Sequence, residues 1–331
     1  MRCPRGLEVP TIGVVVIGRN EGDRLKRCLQ SLPRVATLVY VDSGSVDGSD
    51  KWARDFGAEV VDLGPEAPFT AARARNAGIR RLLQIQPGIS FIQFIDGDCE
   101  IVPEWLATAR QFLQEQSSVA AVFGRRRERY PDRSIYNQLC DWEWDGPSGE
   151  ARAFGGDVMI RVSALKAVGG YRDSLIAGEE PELSVRLRSA GWLIFRLDAE
   201  MSLHDAAITK FDQWWKRMAR SGYAFAQGAH LHGRLPERHW VWESRRTWFW
   251  GFWLPLLCVA AGLTIVPWGW ASFAAYPVQI VRQSLRVSGS FRDRITKATF
   301  QLLSRFPEAA GQLRFWRDHL LGRESALIEY K

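Results

Sequence analysis

Through the first hundred residues, short apolar runs alternate with amphipathic stretches, the pattern of strands and helices in βαβ order. Ile12 to Ile17 (IGVVVI) predicts a first strand, and Asp23 to Leu32 a helix with Leu25, Cys28, Leu29 and Leu32 on one face. Leu38 to Val41 predicts a second strand running into DSGSVDGS, whose Asp, Ser and Gly residues mark a loop and a helix N-cap. A short strand over Val60 to Leu63, a helix over Ala71 to Gln84 and a strand over Phe91 to Ile95 follow. Uniformly apolar strands belong to a mostly parallel sheet covered by helices, and such sheets bind ligands at the carboxyl ends of their strands.

Farther along, VAAVFG (Val119 to Gly124) predicts another strand, and RRRERYPDR a basic, mobile-looking stretch. A Gly-rich turn at Phe154 to Asp157, helices from Val162 and from about Pro181 to Ala190, and the strand WLIFRL complete this part. From Thr247 to Val281 the pattern changes, with no charged residue until Arg282. A transmembrane helix needs about 20 apolar residues. Pro255, Pro267 and the WGW turn divide this run into one piece near that length and one shorter piece. Arg245 and Arg246 precede it, and Arg282, Arg286, Arg292 and Arg294 follow. The positive-inside rule then assigns both ends to the cytoplasmic side of an inner membrane, favouring a hairpin, re-entrant pair or interfacial pair over one span; the plain alternative is a hydrophobic core helix pair of a soluble domain. Aromatic and basic residues mix in the tail (FQLLSRF, LRFWRDHLLGR), predicting amphipathic helix on the same surface. The expected organisation is an α/β domain over 9–235, a hydrophobic membrane-associated segment over 245–282 and an amphipathic basic tail over 283–331.

Composition narrows the partners. A chain of 331 residues, 46% hydrophobic, can bury a sizeable core. The five cysteines are scattered without a CxxC pair, and no signal-peptide pattern opens the chain, which fits a reducing, cytosolic setting for the α/β part. A formal charge of +7 points to an anionic partner. Nucleic acid is disfavoured, because the arginines do not gather on one readable element. An anionic lipid surface and a phosphate-bearing substrate remain. Many of the fifteen tryptophans crowd into Trp240 to Trp270, and Trp prefers the membrane interface.

Candidate chemistry starts at FIQFIDGDCEI, where Asp96, Asp98 and Glu100 fall at alternate positions after an apolar strand. Two carboxylates that close repel unless a cation sits between them, and Mg²⁺ or Mn²⁺ suits oxygen ligands shared with phosphates. The plain alternative is a turn made by Gly97 and capped by Asp96. Glu100 reads as an ordinary loop acid. Asp42 and Asp47 form a second acidic loop suited to a nucleotide, Asp42 accepting from a base N–H and Asp47 capping a helix. Arg73 and Arg75 are spaced to offset diphosphate charge, or to line a solvated helix face. Glu179, Glu180 and Glu182 cluster at a helix start whose Pro181 suits the first helical position, and the helix dipole helps keep acids there charged.

The ordered strings VVVIGRNEGDRLKRCLQSL, VYVDSGSVDGS, ARNAGI, FIDGD and FGGDVMIRVSALKAVGGYRDSLIAGEEPELSVRLRSAGW resemble family 2 glycosyltransferases, over roughly Val9 to Trp215. The resemblance implies a GT-A fold and an inverting transfer from a nucleotide-diphosphate sugar, with a divalent metal, Mn²⁺ or Mg²⁺, on the diphosphate. It implies donor contacts at Asn20, Glu21, Asp42, Arg73, Arg75, Asp96 and Asp157, and metal ligation by Asp98, with Asp96 and His204 beside it. It implies Glu180 as the catalytic base toward a lipid-linked or cell-envelope glycan acceptor. Ile17, Gly18 and Arg19 replace the family's Pro-Thr-Tyr, and Ser43 its second aspartate. QWWKRM departs from the Gln-x-x-Arg-Trp signature of processive synthases, which implies transfer of a single sugar. The rival readings are a polyprenyl-phosphate sugar transferase, a nucleotidyltransferase and a membrane-tethered binding protein without turnover.

Overall fold

The computed structural model describes residues 11–33, 37–265 and 268–323. Two compact units divide between Ala207 and Ile208, earlier than the domain end expected at 235.

The first unit is built on one mixed sheet. Its strands are β1 (Ile12–Gly18), β2 (Thr37–Asp42), β3 (Glu59–Asp62), β4 (Phe91–Asp96), β5 (Cys99–Ile101), β6 (Val119–Glu128), β7 (Gly149–Glu150), β8 (Val158–Arg161) and β9 (Leu193–His204). The order across the sheet is β3-β2-β1-β4-β8-β6-β9-β5, with β7 paired to β9. The β3 to β4 half is parallel, as the apolar runs predict, whereas β8 is antiparallel to both β4 and β6. Chain connections leave β1 for β2 on one side and lead to β4 on the other, the switch point where open α/β sheets bind ligands.

Helices cover both faces: α1 (Asp23–Gln30), α2 (Ser49–Phe56), α3 (Ala71–Ile85), α4 (Trp105–Glu115), α5 (Ile135–Glu143), α6 (Val162–Val168) and α7 (Glu179–Ser189). Val15 and Ile17 face α3, α6 and α7, while Val14 and Val16 face α1, α2 and α4, so β1 is buried on both sides. Close packing here depends on Gly78, since a Cβ at that position would lie 2.3 Å from Val15 Cγ1.

Three local expectations change. RRRER is not mobile: β6 runs on to Glu128, alternating its charged side chains between the two faces. Glu100 is a strand residue of β5 that pairs with Arg27 at 3.1 Å and Arg129 at 2.6 Å, not a loop acid. Pro181 is the third residue of α7, after Gly178 as N-cap, rather than the first. Proline is tolerated there because first-turn N–H groups have no intrahelical acceptor.

The second unit contains α8 (Phe211–His232), α9 (Val241–Trp248), a π-helical turn at Phe249–Trp253, α10 (Leu254–Thr264), a 3₁₀ segment at Trp268–Ala274, α11 (Ala275–Ser284), α12 (Phe291–Leu303) and α13 (Arg305–Leu320). Pro255 was expected to break the apolar run, but 241–264 is one helix, 24 residues long. The π turn directly before the proline absorbs its missing N–H and its ring. Pro267 lies outside the described residues. The tail also differs from a surface amphipathic helix: α13 buries Pro307, Ala309, Gly311 and Phe315. It meets α8 backbone to backbone, because a Cβ on Gly311 would sit 1.9 Å from Ala219 O and one on Gly222 2.0 Å from Glu308 O.

Candidate active site

Strand ends gather the candidate residues on one edge of the first unit. β4 ends at Asp96, Gly97 turns the chain with its N–H bonded to Ile17 O at 2.8 Å, and β5 begins at Cys99. β5 pairs antiparallel with β9 in the register Cys99 to His204, so Asp98 and His204 become neighbours although 106 positions separate them. Asp98 Oδ2 and His204 Nε2 are 3.4 Å apart, both side chains buried. On its other side, His204 Nδ1 faces Glu128 Oε2 at 3.6 Å, and Trp144 packs edge-on against the imidazole at 4.7 Å.

This pair suits a divalent cation. Ligand atoms of Asp98, Cys99 and His204 all lie within 4.8 Å of one another. Burial pushes the Cys99 thiol well above its usual range, which leaves a carboxylate oxygen and an imidazole nitrogen as the readier donors. Such a set fits Mn²⁺ somewhat better than Mg²⁺. Glu128 behind the ring is the kind of acceptor that fixes a ligating imidazole's orientation.

Asp96 is differently engaged. Its Oδ1 accepts from Arg75 Nη2 at 2.9 Å and its Oδ2 from Arg126 Nη2 at 3.1 Å, so both oxygens already meet cations. Asp157, expected on the donor side, sits 1% exposed beneath this arrangement. It accepts from Asp96 N at 3.1 Å, Arg126 Nε at 3.0 Å and Ser202 Oγ at 2.6 Å. Burial alone would raise its carboxyl, but Arg126 and these bonds hold it below the usual carboxylate range.

Arg75 is the centre of the base side. It is only 2% exposed, not on a solvated helix face, and it reaches three carboxylates. Nη1 donates to Glu179 Oε1 at 2.8 Å, while Nη2 also lies 2.9 Å from Glu180 Oε1. Burial opposes its charge, yet Glu180, Asp96 and Glu179 keep it protonated. Glu180 itself is pushed up to about 7, by burial first and by Glu179 next, with Arg75 pulling the other way. A carboxylate poised near neutrality matches what a general base requires.

The nucleotide-side candidates form a separate group. Asp42 Oδ1 accepts from Tyr40 at 2.9 Å and Oδ2 from Ser45 N at 2.7 Å. Asn20, at a φ of 55°, donates its N–H to Ser45 Oγ and accepts from Val46 N, both at 2.8 Å. Glu21 pairs with Arg24 at 2.8 Å. Asp47 is not the N-cap expected, which is Gly48; one residue before it, Asp47 accepts from Ser49 N at 3.0 Å. Arg73 does not join the acidic cluster, because its guanidinium binds Ala67 O at 2.7 Å and Gly64 O at 2.9 Å.

Arg126, Glu128 and Glu179 were missed as site residues. The available signal was the period-2 alternation of RRRER, which sends Arg126 and Glu128 to one face of β6. Beside the Asp98 and His204 strand ends lies a cavity of about 660 Å³, lined by Arg27, Arg129, Tyr130, Arg133 and Asp205 among others.

Residues 13–168 match the model for glycosyl transferase family 2. The succinoglycan biosynthesis protein ExoA of Rhizobium meliloti is 26% identical over 202 residues, covering 56% of this chain and 60% of that protein. The pre-mycofactocin glycosyltransferase of Mycobacterium tuberculosis is 25% identical over 252 residues, covering 72% of this chain and 51% of that protein. The chain therefore spans between half and three fifths of the length of these curated relatives. Among solved structures, the mannosyltransferase PcManGT from Pyrobaculum calidifontis, in complex with GDP-Man and Mn²⁺, superposes with a TM-score of 0.63 at 18% identity. That match covers 92% of this chain and 87% of the other, and it establishes the expected GT-A fold.

Proposed function

For a chain whose residues 13–168 form a family 2 glycosyltransferase domain, we propose transfer of a single sugar from a nucleotide-diphosphate donor to a hydroxyl of a glycan or lipid-linked acceptor, with inversion. The observation that carries this reading is the meeting of Asp98 and His204 at 3.4 Å on the edge where Arg75 holds Glu180. Glu180 takes the proton from the acceptor hydroxyl, and its elevated carboxyl makes that transfer efficient near neutral pH. Arg75 keeps the base and Asp96 in fixed relation, and Arg126 keeps Asp96 against Asp157. Asp98 and His204 would hold the divalent ion, which supplies positive charge to the departing diphosphate when bound. Asn20, Glu21 and Asp42 sit where the sheet's switch point would receive the nucleoside. The donors named for PcManGT, GDP-Man with Mn²⁺, support this class of donor without specifying the sugar.

The same proposal locates the protein at a bacterial inner membrane, with the catalytic unit facing the cytoplasm and arginines toward anionic lipid. It is supported by the 241–264 helix, whose most apolar 18-residue window has a mean hydropathy of 1.4 and is 17% buried. The decisive experiment incubates purified enzyme with Mn²⁺, a panel of nucleotide sugars and lipid-linked acceptors, and measures nucleoside diphosphate release. Release of pyrophosphate would indicate a nucleotidyltransferase, and no product from any donor would leave only a binding protein.

The cavity containing Arg27, Arg129 and Arg133 favours one second reading, transfer to a polyprenyl phosphate. Arginine forks match phosphate geometry, and a phosphate oxygen is already ionised. In that case Glu180→Gln costs little while Asp98→Ala remains severe.

A further inference from the structure

The second unit carries an apolar face that nothing among its described residues covers. Trp253, Leu256, Leu257, Leu263, Ile265 and Trp268 are between 51% and 79% exposed. No acid occurs between Glu243 and Asp293, whereas Arg245, Arg246, Arg282, Arg286 and Arg292 do. An apolar surface with a wholly cationic rim is complementary to anionic lipid, which draws basic segments to its surface.

The path of the chain decides how such a surface meets a bilayer. After Thr264 the chain doubles back along the helix it has just left. At the tip, Gly269 N bonds Ile265 O at 2.8 Å, and a Cβ on Gly269 would lie 1.9 Å from Ala261 O. Next, the Trp270 ring fills the space above Gly262, where a Cβ would come within 2.5 Å of it. By Tyr276 the return arm has reached Trp250, whose carbonyl accepts the Tyr276 hydroxyl at 2.8 Å. The two arms thus form a closed hairpin with the arginines of 245–246 and 282–286 at its open end.

At that end the unit itself blocks deeper entry. A Cβ on Gly251 would be 2.0 Å from Arg305 O, and Tyr276 stacks on Phe306 at 5.9 Å. Thr247, fully buried, donates to Glu308 at 2.7 Å, and Glu308 pairs with Arg305 at 2.6 Å. Inserting this level would carry an ion pair into hydrocarbon, at high cost. What remains free beyond that level is the arm from Phe252 to Thr264 and its return, about 18 Å at 1.5 Å per residue. The hydrocarbon core is about 30 Å thick.

We propose that this hairpin enters an anionic leaflet tip first, stops short of the far headgroups, and returns both arginine-bearing ends to the side it entered from. The inference rests on the membrane reading above and fixes its topology. The test adds the full chain to preformed vesicles of phosphatidylglycerol and phosphatidylcholine. Single-cysteine variants Trp242→Cys, Leu285→Cys and Trp268→Cys, made in a chain whose five native cysteines are replaced by alanine, that float with vesicles like the unaltered protein are then treated with a membrane-impermeant maleimide. Trp242→Cys and Leu285→Cys should label fully in intact vesicles, and Trp268→Cys at least tenfold less until detergent is added. In the unaltered protein, lipids brominated along the acyl chain should quench tryptophan emission. Labelling of Trp268→Cys by reagent trapped in the lumen would mean that the hairpin crosses, and opposite sidedness of 242 and 285 would mean a single span. Free labelling of Trp268→Cys on bound vesicles, or absence of quenching, would also overturn immersion. Failure to float sinks the membrane reading itself, and a lipid-free dimer that no longer floats would give the face to a second copy; neither result touches glycosyl transfer.

Discussion

Arg75 Nη2 and Glu180 Oε1 meet at 2.9 Å, and the same nitrogen holds Asp96 Oδ1 at the same distance. One buried cation therefore ties Glu180, the proposed base, to the loop that carries Asp98, the proposed metal ligand. Replacing it by a shape-mimicking neutral residue, Arg75→Met, should destabilise the first unit by about 3–5 kcal/mol, because buried carboxylates are left unpaired. Chemical denaturation followed by tryptophan fluorescence would measure this, and a change under about 1 kcal/mol would refute the role.

Activity should fall as pH drops through about 7. Glu180 acts only when ionised, and burial raises its carboxyl to that value, so acid protonates it and removes the base. The logarithm of kcat/KM for a neutral hydroxyl acceptor should decline with unit slope below pH 7, and Glu180→Gln should lower kcat by about 10²–10⁴-fold. A flat profile from pH 5 to 8 would contradict it.

Metal affinity should depend on a residue that does not touch the metal. Glu128→Gln keeps the shape behind His204 Nδ1 but loses the charge, and should weaken Mn²⁺ binding about 10-fold, within the range found for such supporting acceptors. Asp98→Ala should weaken it more. Free Mn²⁺ measured by electron paramagnetic resonance reports both effects without turnover, and chelation by EDTA should stop transfer until Mn²⁺ is restored.

Gly156→Ala should damage the site while sparing the fold. Its Cβ would lie 2.4 Å from Asp96 Oδ2 and 2.9 Å from Arg75 Nη2, so the carboxylate must move. A loss of at least about tenfold in kcat/KM is expected, since small misplacements of reacting groups are costly. Circular dichroism should remain unchanged.

Local sequence carried much of this architecture. The parallel half of the sheet was legible because β1, β2 and β4 are largely buried on both faces and read as mostly apolar runs, Gln93 being the polar interruption in β4. Asp96 and Asp98 stood out because acids directly after a buried strand have few folding reasons to be there, whereas Glu180, at a helix start that favours acids anyway, was singled out only by the family resemblance. Arg126 and Glu128 were not, since a strand that turns polar looks like a loop until its register with β9 is known. Arg75 and Arg73 could not be told apart either. Two positions apart on α3, they point to different neighbours, one into the carboxylates and the other to the carbonyls of Gly64 and Ala67. The packed role of α13 was hidden for a similar reason, because its glycine matches one on a distant helix.

The division of the site into two hydrogen-bonded groups has an evolutionary side. Asp42 and Asn20 close on Ser45 and Val46, while Asp96 closes on Arg75, Arg126 and Asp157. On the proposed function, drift in the loop after β2 would retune which nucleoside is accepted while Glu180, Asp96 and Asp98 keep their places. A lineage built on this scaffold could exchange donors by local edits, with the bond-making apparatus inherited intact.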